Sequence, residues 1–205
     1  MLASVEELFA QRKLDIVFVQ EGRLQGDASH LSHHYRMFRS SASPMGTSGS
    51  QIWLSHKMAG FVFASRAISP RILALWLRVS DLEVLLVSAH APTEAAAEQD
   101  KSEFWSRVEG LLTSFQDPAK FRLTFVGIDS NGKVGSTPSP SVGSAEPDVE
   151  NANGFALRSI ADASGVCLLN TYTDAGPTWT GSRGHRSRID FLATSVWARH
   201  AAKHV

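Results

Sequence analysis

Apolar residues fall into two rhythms along this chain, one of helical period and one of short continuous runs. Leu2, Val5, Leu8 and Phe9 recur at helical spacing, which predicts a short amphipathic helix over residues 3–12. Leu14 to Val19 (LDIVFV) predicts a mostly buried strand. Residues 22–50 are rich in Gly, Ser and His and predict loop with short elements. Strand-like runs follow at 52–54, 61–64, 72–79 and 82–89, and the last two flank Ser80-Asp81 as a hairpin would. Phe104, Val108, Leu111, Leu112 and Phe115 form one apolar stripe and predict a helix over 94–115, capped by Thr93 and stopped by Pro118. A further strand is predicted over 121–128. Residues 132–152 hold three Gly, three Pro and four Ser and predict a long exposed loop. A helix is expected over 154–164, with Asn153 as cap and Gly165 at its end. Segments 166–172, 178–180 and 188–194 read as three more strands. Many strands with irregularly placed helices predict an α/β fold of packed mixed sheets rather than one doubly wound sheet.

At 205 residues a single domain is the expectation. Lys plus Arg and Asp plus Glu each total 20, for a net charge of 0, which excludes a strongly basic, non-specific nucleic-acid binder. Basic residues can still cluster locally. One cysteine, Cys167, excludes an intramolecular disulfide. No apolar run approaches the roughly 20 residues of a membrane helix. Glu6, Glu7, Arg12, Lys13 and Asp15 break up the amino-terminal segment, unlike a secretory signal. An intracellular protein, nuclear or cytoplasmic, is therefore expected, with oligomeric state left open.

Three motifs fail on inspection. Gly127 to Lys133 (GIDSNGK) has the look of a phosphate-binding loop, but Val134 stands where Ser or Thr should hold magnesium, and no helix pattern follows. Gly46 to Ser50 (GTSGS) has Ser50 where a nucleophile elbow needs Gly. His30, His33 and His34 cluster without a nearby cysteine, which favours a solvated loop over a zinc site.

One constellation holds together. Several segments share the form of a buried strand with polar, chemically competent residues at or beside its end: Glu21 after Leu14–Val19, His90 after Val84–Val87, Asp129 and Asn131 after Leu123–Ile128, and Asp190 within Ser187 to Leu192. Strand ends on one edge of a sheet can converge on one cleft. Carboxylates there suit a hard cation such as magnesium, which takes oxygen ligands and keeps positions for phosphate oxygens.

The ordered set Asp15 to Glu21 (DIVFVQE), Ser88 to Thr93 (SAHAPT), Asp129 to Gly135 (DSNGKVG), Thr178 to Thr180 (TWT) and Ser187 to Asp190 (SRID) resembles the endonuclease/exonuclease/phosphatase superfamily. Asn151 to Gly154 (NANG), Leu168 to Thr171 (LLNT) and the Asn-Gly-Lys-Val-Gly tail after Asp129 and Ser130 resemble the branch of non-LTR retrotransposon endonucleases and craniofacial-development-protein-2-like domains. The resemblance spans about residues 2–195. It implies a four-layer α/β/β/α sandwich of two mixed sheets flanked by helices. It also implies hydrolysis of phosphodiesters with Mg2+, or Mn2+ in its place, on DNA or alternatively RNA, with no membrane partner. On the resemblance, Glu21 matches a metal ligand, Asp129 the aspartate that positions the attacking water, and Asn131 the asparagine that contacts the scissile phosphate. Asp190 matches the aspartate that orients the catalytic histidine. His90 falls where one branch has a catalytic histidine and the apurinic and retroelement branches usually have tyrosine. Trp179 either frames the cleft or sits in the core. Arg183, Arg186 and Arg188 either meet phosphates or belong to a solvated loop.

The chain departs from the pattern at both ends. The strand that should carry a metal-binding asparagine does not precede residue 1, and no Asp-His pair occurs in residues 191–205, although His200 and His204 do. The expectation is a domain trimmed at both ends. A DNA endonuclease of retroelement type is the first reading. Another phosphoesterase of the same superfamily, phosphatase or sphingomyelinase-like, and a catalytically silent fragment are the alternatives.

Overall fold

Apolar runs become strands and the two apolar stripes become helices, at bounds that tertiary partners adjust. The computed structural model describes residues 2–117 and 119–202, so the expected helix stop at Pro118 and the residue His204 lie outside it. The chain divides into two units, Met1–Ser88 and Ala89–Val205. Two main sheets, of four and six strands, carry it with helices alongside.

In the first unit the order is α1 (Leu2–Gln11), β1 (Ile16–Val19), β2 (Ala28–Leu31), β3 (Tyr35–Arg39), β4 (Gln51–Ser55), α2 (His56–Ala59), β5 (Val62–Ser69), β6 (Ile72–Val79) and β7 (Leu82–His90). The four-stranded sheet runs β1-β4-β3-β2, antiparallel throughout. Ile52, Trp53 and Leu54 of β4 are buried with Tyr35 and Phe38 of β3. Phe9 of α1 meets the Trp53 ring edge-on at 6.0 Å. Strands β2 and β3 are the short elements within the stretch expected as loop with short elements. Every residue of β2 is exposed, so no alternation of apolar and polar positions marks it in the sequence. The β6–β7 hairpin turns at Ser80-Asp81 as predicted, with Ser80 in the left-handed region at φ 54°. The last two residues of β7, Ala89 and His90, belong to the second unit.

That unit continues with α3 (Glu98–Ser114), β8 (Arg122–Asp129), α4 (Ala152–Ala163), β9 (Val166–Leu168), β10 (Trp179–Thr180), β11 (Arg186–Ser187) and β12 (Asp190–Ser195). Strand β12 lies between β8 and β9, antiparallel to both. Strands β10 and β11 form a separate two-stranded ribbon. The predicted stripe Phe104, Val108, Leu111, Leu112 and Phe115 is buried, and α3 packs on α4.

Three boundaries need correction. Helix α3 starts at Glu98 after Ala97, not at Thr93. The Thr93 carbonyl instead closes a turn with the Ala96 N–H at 2.9 Å, and the Glu94 carboxylate accepts the Asn153 N–H at 2.8 Å. The cap of α4 is Asn151, whose Oδ1 accepts the Gly154 N–H at 2.9 Å, while Asn153 sits inside the first turn. Loop 132–152 is irregular but not uniformly exposed: Val134, Ser141 and Val142 are buried, and Val142 bridges to Leu168. The strand expected over 166–172 stops at Leu168, because Leu169–Thr171 turns as a 3-10 helix.

Candidate active site

Strand β7 ends at His90 and β8 at Asp129, and their exits are stapled together. The Ala91 N–H donates to the Asp129 main-chain oxygen at 2.8 Å, and the Asn131 side-chain amide donates to the Ala91 oxygen at 2.9 Å. Asn131 adopts φ 46°, a left-handed conformation that asparagine tolerates better than most residues. Its own N–H donates to Asp129 Oδ1 at 3.0 Å, which closes an Asx turn. The other carboxylate oxygen, Oδ2, lies 3.7 Å from His90 Nε2. Ser130, fully buried, pins the turn by donating its hydroxyl to the Ile189 carbonyl at 2.8 Å.

Asp190 opens β12 directly opposite Asp129 in the antiparallel register. Thr178 Oγ1 accepts the N–H groups of both Ile189 and Asp190 at 3.1 Å, and Asn170 donates its amide to the Asp190 carbonyl at 2.9 Å. Burial pushes the Asp190 carboxyl above the usual range, and the nearby Asp129 charge pushes it further. Hydrogen bonding to Thr178 and the charge of His90 oppose the rise. Ionising Asp190 therefore costs folding energy. A raised carboxyl contributes stability below the unfolded titration near pH 4, and that contribution is lost as pH rises through the folded pKa. Asp190→Asn is accordingly expected to raise the melting temperature at pH 7 in EDTA, with the gain shrinking in acid. Melting curves across pH check this, and a loss at neutral pH would contradict it.

His90, Asp129, Asn131 and Asp190 are thus brought together at three strand ends. Glu21 is in the first unit, half-exposed at φ 55°, with Arg23 on its carboxylate at 2.8 Å. Trp179 is exposed on β10, so it is not a core residue, and its ring lies over Gly181. Arg183 and Arg186 are exposed, Arg183 in the turn between β10 and β11 and Arg186 on β11. Arg188 is buried, and its guanidinium contacts Glu146 at 2.9 Å and the carbonyls of Gly176 and Ala145.

A supporting frame emerges that residue chemistry alone did not assign. Asn151 accepts the Lys133 N–H at 2.8 Å as well as capping α4. Asn153, almost fully buried, donates to the Pro92 carbonyl at 2.8 Å and accepts the Trp105 indole N–H at 2.9 Å. The first turn of α4 therefore grips both the loop after His90 and the loop after Asn131. The paired asparagines in Asn151-Ala-Asn153-Gly154 are the sequence trace of this frame.

Among the described residues, no group of three or more His, Cys, Asp or Glu side chains is placed to hold a metal ion. The donor chemistry at β8 and β12 nevertheless suits magnesium, which typically takes one or two carboxylates and completes its shell with water and phosphate oxygens. Burial first, and then the Asp129 charge, raise the Asp190 carboxyl, and a divalent cation held by these residues would offset their repulsion. No described helix is long and apolar enough to cross a membrane.

No protein-family model matches the sequence. No curated protein matches it either. Solved structures do share the fold. The endonuclease domain of TRAS1, a telomere-specific non-LTR retrotransposon, superposes with a TM-score of 0.62 at 22% identity, covering 94% of this chain and 78% of that one. The 3′ phosphatase NExo from Neisseria, bound to a product DNA hairpin, gives 0.67 at 14% identity over 97% and 83%. An endonuclease/exonuclease/phosphatase family protein from Leptotrichia buccalis gives 0.60 at 16% identity over 93% and 78%. The chain thus has the fold of the endonuclease/exonuclease/phosphatase superfamily, an α/β sandwich of two main sheets with flanking helices. Its structural likeness is to nucleases and phosphatases of that superfamily.

Proposed function

We propose that this chain is a divalent-metal-dependent phosphodiester hydrolase, and specifically a DNA endonuclease of retroelement type. The observation that carries the reading is the meeting of His90, Asp129, Asn131 and Asp190 at the ends of β7, β8 and β12. A phosphodiester is anionic and repels hydroxide. A bound divalent cation would neutralise that charge. Asp129 and Asp190 supply hard oxygen donors for it, and Glu21, in the first unit, is a candidate ligand on the family resemblance alone.

The remaining work falls to the side chains. Asp129 positions the attacking water through Oδ2, since Oδ1 is engaged by the Asn131 N–H. Asn131, with one amide N–H held by Ala91, offers its second N–H to a phosphate oxygen. His90 donates a proton to a phosphate oxygen or to the departing oxygen. The retroelement reading draws on the likeness to the TRAS1 domain and on the Asn151–Gly154 frame. DNA as substrate draws on the same likeness and on the DNA hairpin held by the Neisseria phosphatase. A second reading, a phosphatase of the same fold, is favoured by the histidine at position 90.

Parallel assays on plasmid DNA, a 3′-phosphorylated oligonucleotide, an inositol phosphate and sphingomyelin test the substrate class. Magnesium-dependent cleavage of internal DNA bonds, abolished by EDTA, is expected. Release of phosphate only from the 3′-phosphorylated end would favour the phosphatase, and turnover of none of them would favour a silent domain. Glu21→Gln is expected to raise the magnesium concentration needed for half-maximal rate, and an unchanged metal dependence would remove Glu21 from the ligand set.

A further inference from the structure

Lys133 leads its side chain away from the frame that fixes its backbone. The Lys133 N–H is held by Asn151 Oδ1 at 2.8 Å, and its carbonyl accepts the Asn151 N–H at 3.3 Å. Its ammonium then lies 3.0 Å from His185 Nε2. The Ser187 hydroxyl is 3.0 Å from the same nitrogen. His185 is set there by the turn between β10 and β11, where the Gly181 N–H donates to the His185 carbonyl at 2.7 Å and Gly184 takes φ 78°.

An ammonium can only donate, so His185 Nε2 is the acceptor of this contact. The ammonium thus faces the imidazole, with the buried Ser187 hydroxyl beside the ring. Several other cations of this unit lie on carboxylates: Lys101 on Glu98, Arg158 on Glu150 and Arg188 on Glu146. Among the described residues, no carboxylate pairs with Lys133 or His185, nor with the neighbouring Arg183 and Arg186. Lys133 and His185 are therefore a basic, partly exposed and uncompensated pair, with Lys133 on the same pinned loop as Asn131.

We propose that Lys133 and His185, the latter's ring held by the buried Ser187 hydroxyl, form a contact for a backbone phosphate of bound nucleic acid, separate from the phosphodiester cleaved at Asp129 and Asn131. The assignment rests on the nucleic-acid reading above. A phosphate oxygen accepts from the Lys133 ammonium, and such charge-assisted bonds are the strong ones. Phosphate contacts fix register rather than read sequence. Lys133 lies two residues beyond Asn131 on a backbone that Asn151 holds, so an anchor here sets where the strand meets the site.

The test is equilibrium binding of a short DNA duplex by the full chain in EDTA, followed by fluorescence anisotropy over a range of salt. Lys133→Met is expected to weaken binding roughly tenfold at low salt and to lower the salt slope by about one. Lys133→Arg is expected to keep most of both, and His185→Ala to lose a smaller share. Melting temperatures confirm that each variant is folded. A folded Lys133→Met chain with parental affinity and salt slope would overturn the contact, as would a parent that does not bind the duplex. Binding that depends on Lys133 without any cleavage in magnesium would keep the contact and overturn the hydrolase reading instead.

Discussion

Replacing Asp129 by alanine is expected to slow metal-dependent DNA cleavage by roughly 10²–10⁴-fold, the usual cost of removing a group that manages a proton or an attacking water. Two losses combine in this variant. The Oδ2 oxygen that faces His90 at 3.7 Å disappears, and with it the carboxylate charge offered to metal and water. The Oδ1 acceptor of the Asn131 N–H also disappears, which loosens a residue held at φ 46°. Asp129→Asn separates the two. Its amide oxygen can still accept the Asn131 N–H, so the turn should survive while the charge is gone. Both variants should therefore be slow, and the asparagine variant should melt closer to the parent. A parental rate in Asp129→Asn would remove Asp129 from the reacting centre.

Gly154→Ala is the second large effect, and it acts through the frame rather than the chemistry. A Cβ on Gly154 would stand 1.8 Å from the Lys133 carbonyl oxygen and 2.5 Å from its carbon. The clash is with backbone, so no rotamer change relieves it. Helix α4 would have to withdraw from the loop that carries Asn131 and Lys133. Gly132 faces the same junction, where its own Cβ would come within 2.7 Å of the Gly154 N. Overpacking of this kind costs about 1–3 kcal/mol or more. Each kcal/mol lowers the melting temperature of a chain this size by roughly 2–4 °C. Cleavage should fall as well, because Asn151 and Asn153 lose their hold on the loops after Asn131 and His90. A variant with parental melting and parental rate would show that the helix does not position the site. Calorimetry and a cleavage assay on one preparation decide it.

These two positions also mark what the sequence could and could not disclose. Strand β8 was legible because Leu123–Ile128 is an apolar run ending in polar turn formers, and Asp129 and Asn131 fall where that grammar puts them. The β6–β7 hairpin was legible for the same reason, with Ser80-Asp81 between two apolar strands. The stripe on α3 was legible, but its start was not. Thr93 and Glu94 look like the beginning of a helix, yet one closes a turn and the other receives the Asn153 N–H from α4. That is a tertiary preference overriding a local one. Asn151 and Asn153 show the same limit, since either could cap a helix on local grounds. Only the packing of α4 assigns the cap to Asn151 and the Pro92 and Trp105 contacts to Asn153. Strand β2 left no trace because all four residues are exposed. Arg188 reads as part of a basic loop, but burial and Glu146 set its environment. Lys133 and His185, 52 positions apart, could not be paired from spacing.

Nicking of supercoiled plasmid by residues 1–205 most directly tests whether the cleft at β7, β8 and β12 hydrolyses phosphodiesters. The parent would be run with magnesium and with EDTA, beside Asp129→Ala. The account predicts conversion of supercoiled to open circles by the parent in magnesium, and loss of that conversion in EDTA and in the variant. Nicking that persists undiminished in folded Asp129→Ala, or a folded parent that leaves the plasmid supercoiled in magnesium, would contradict it.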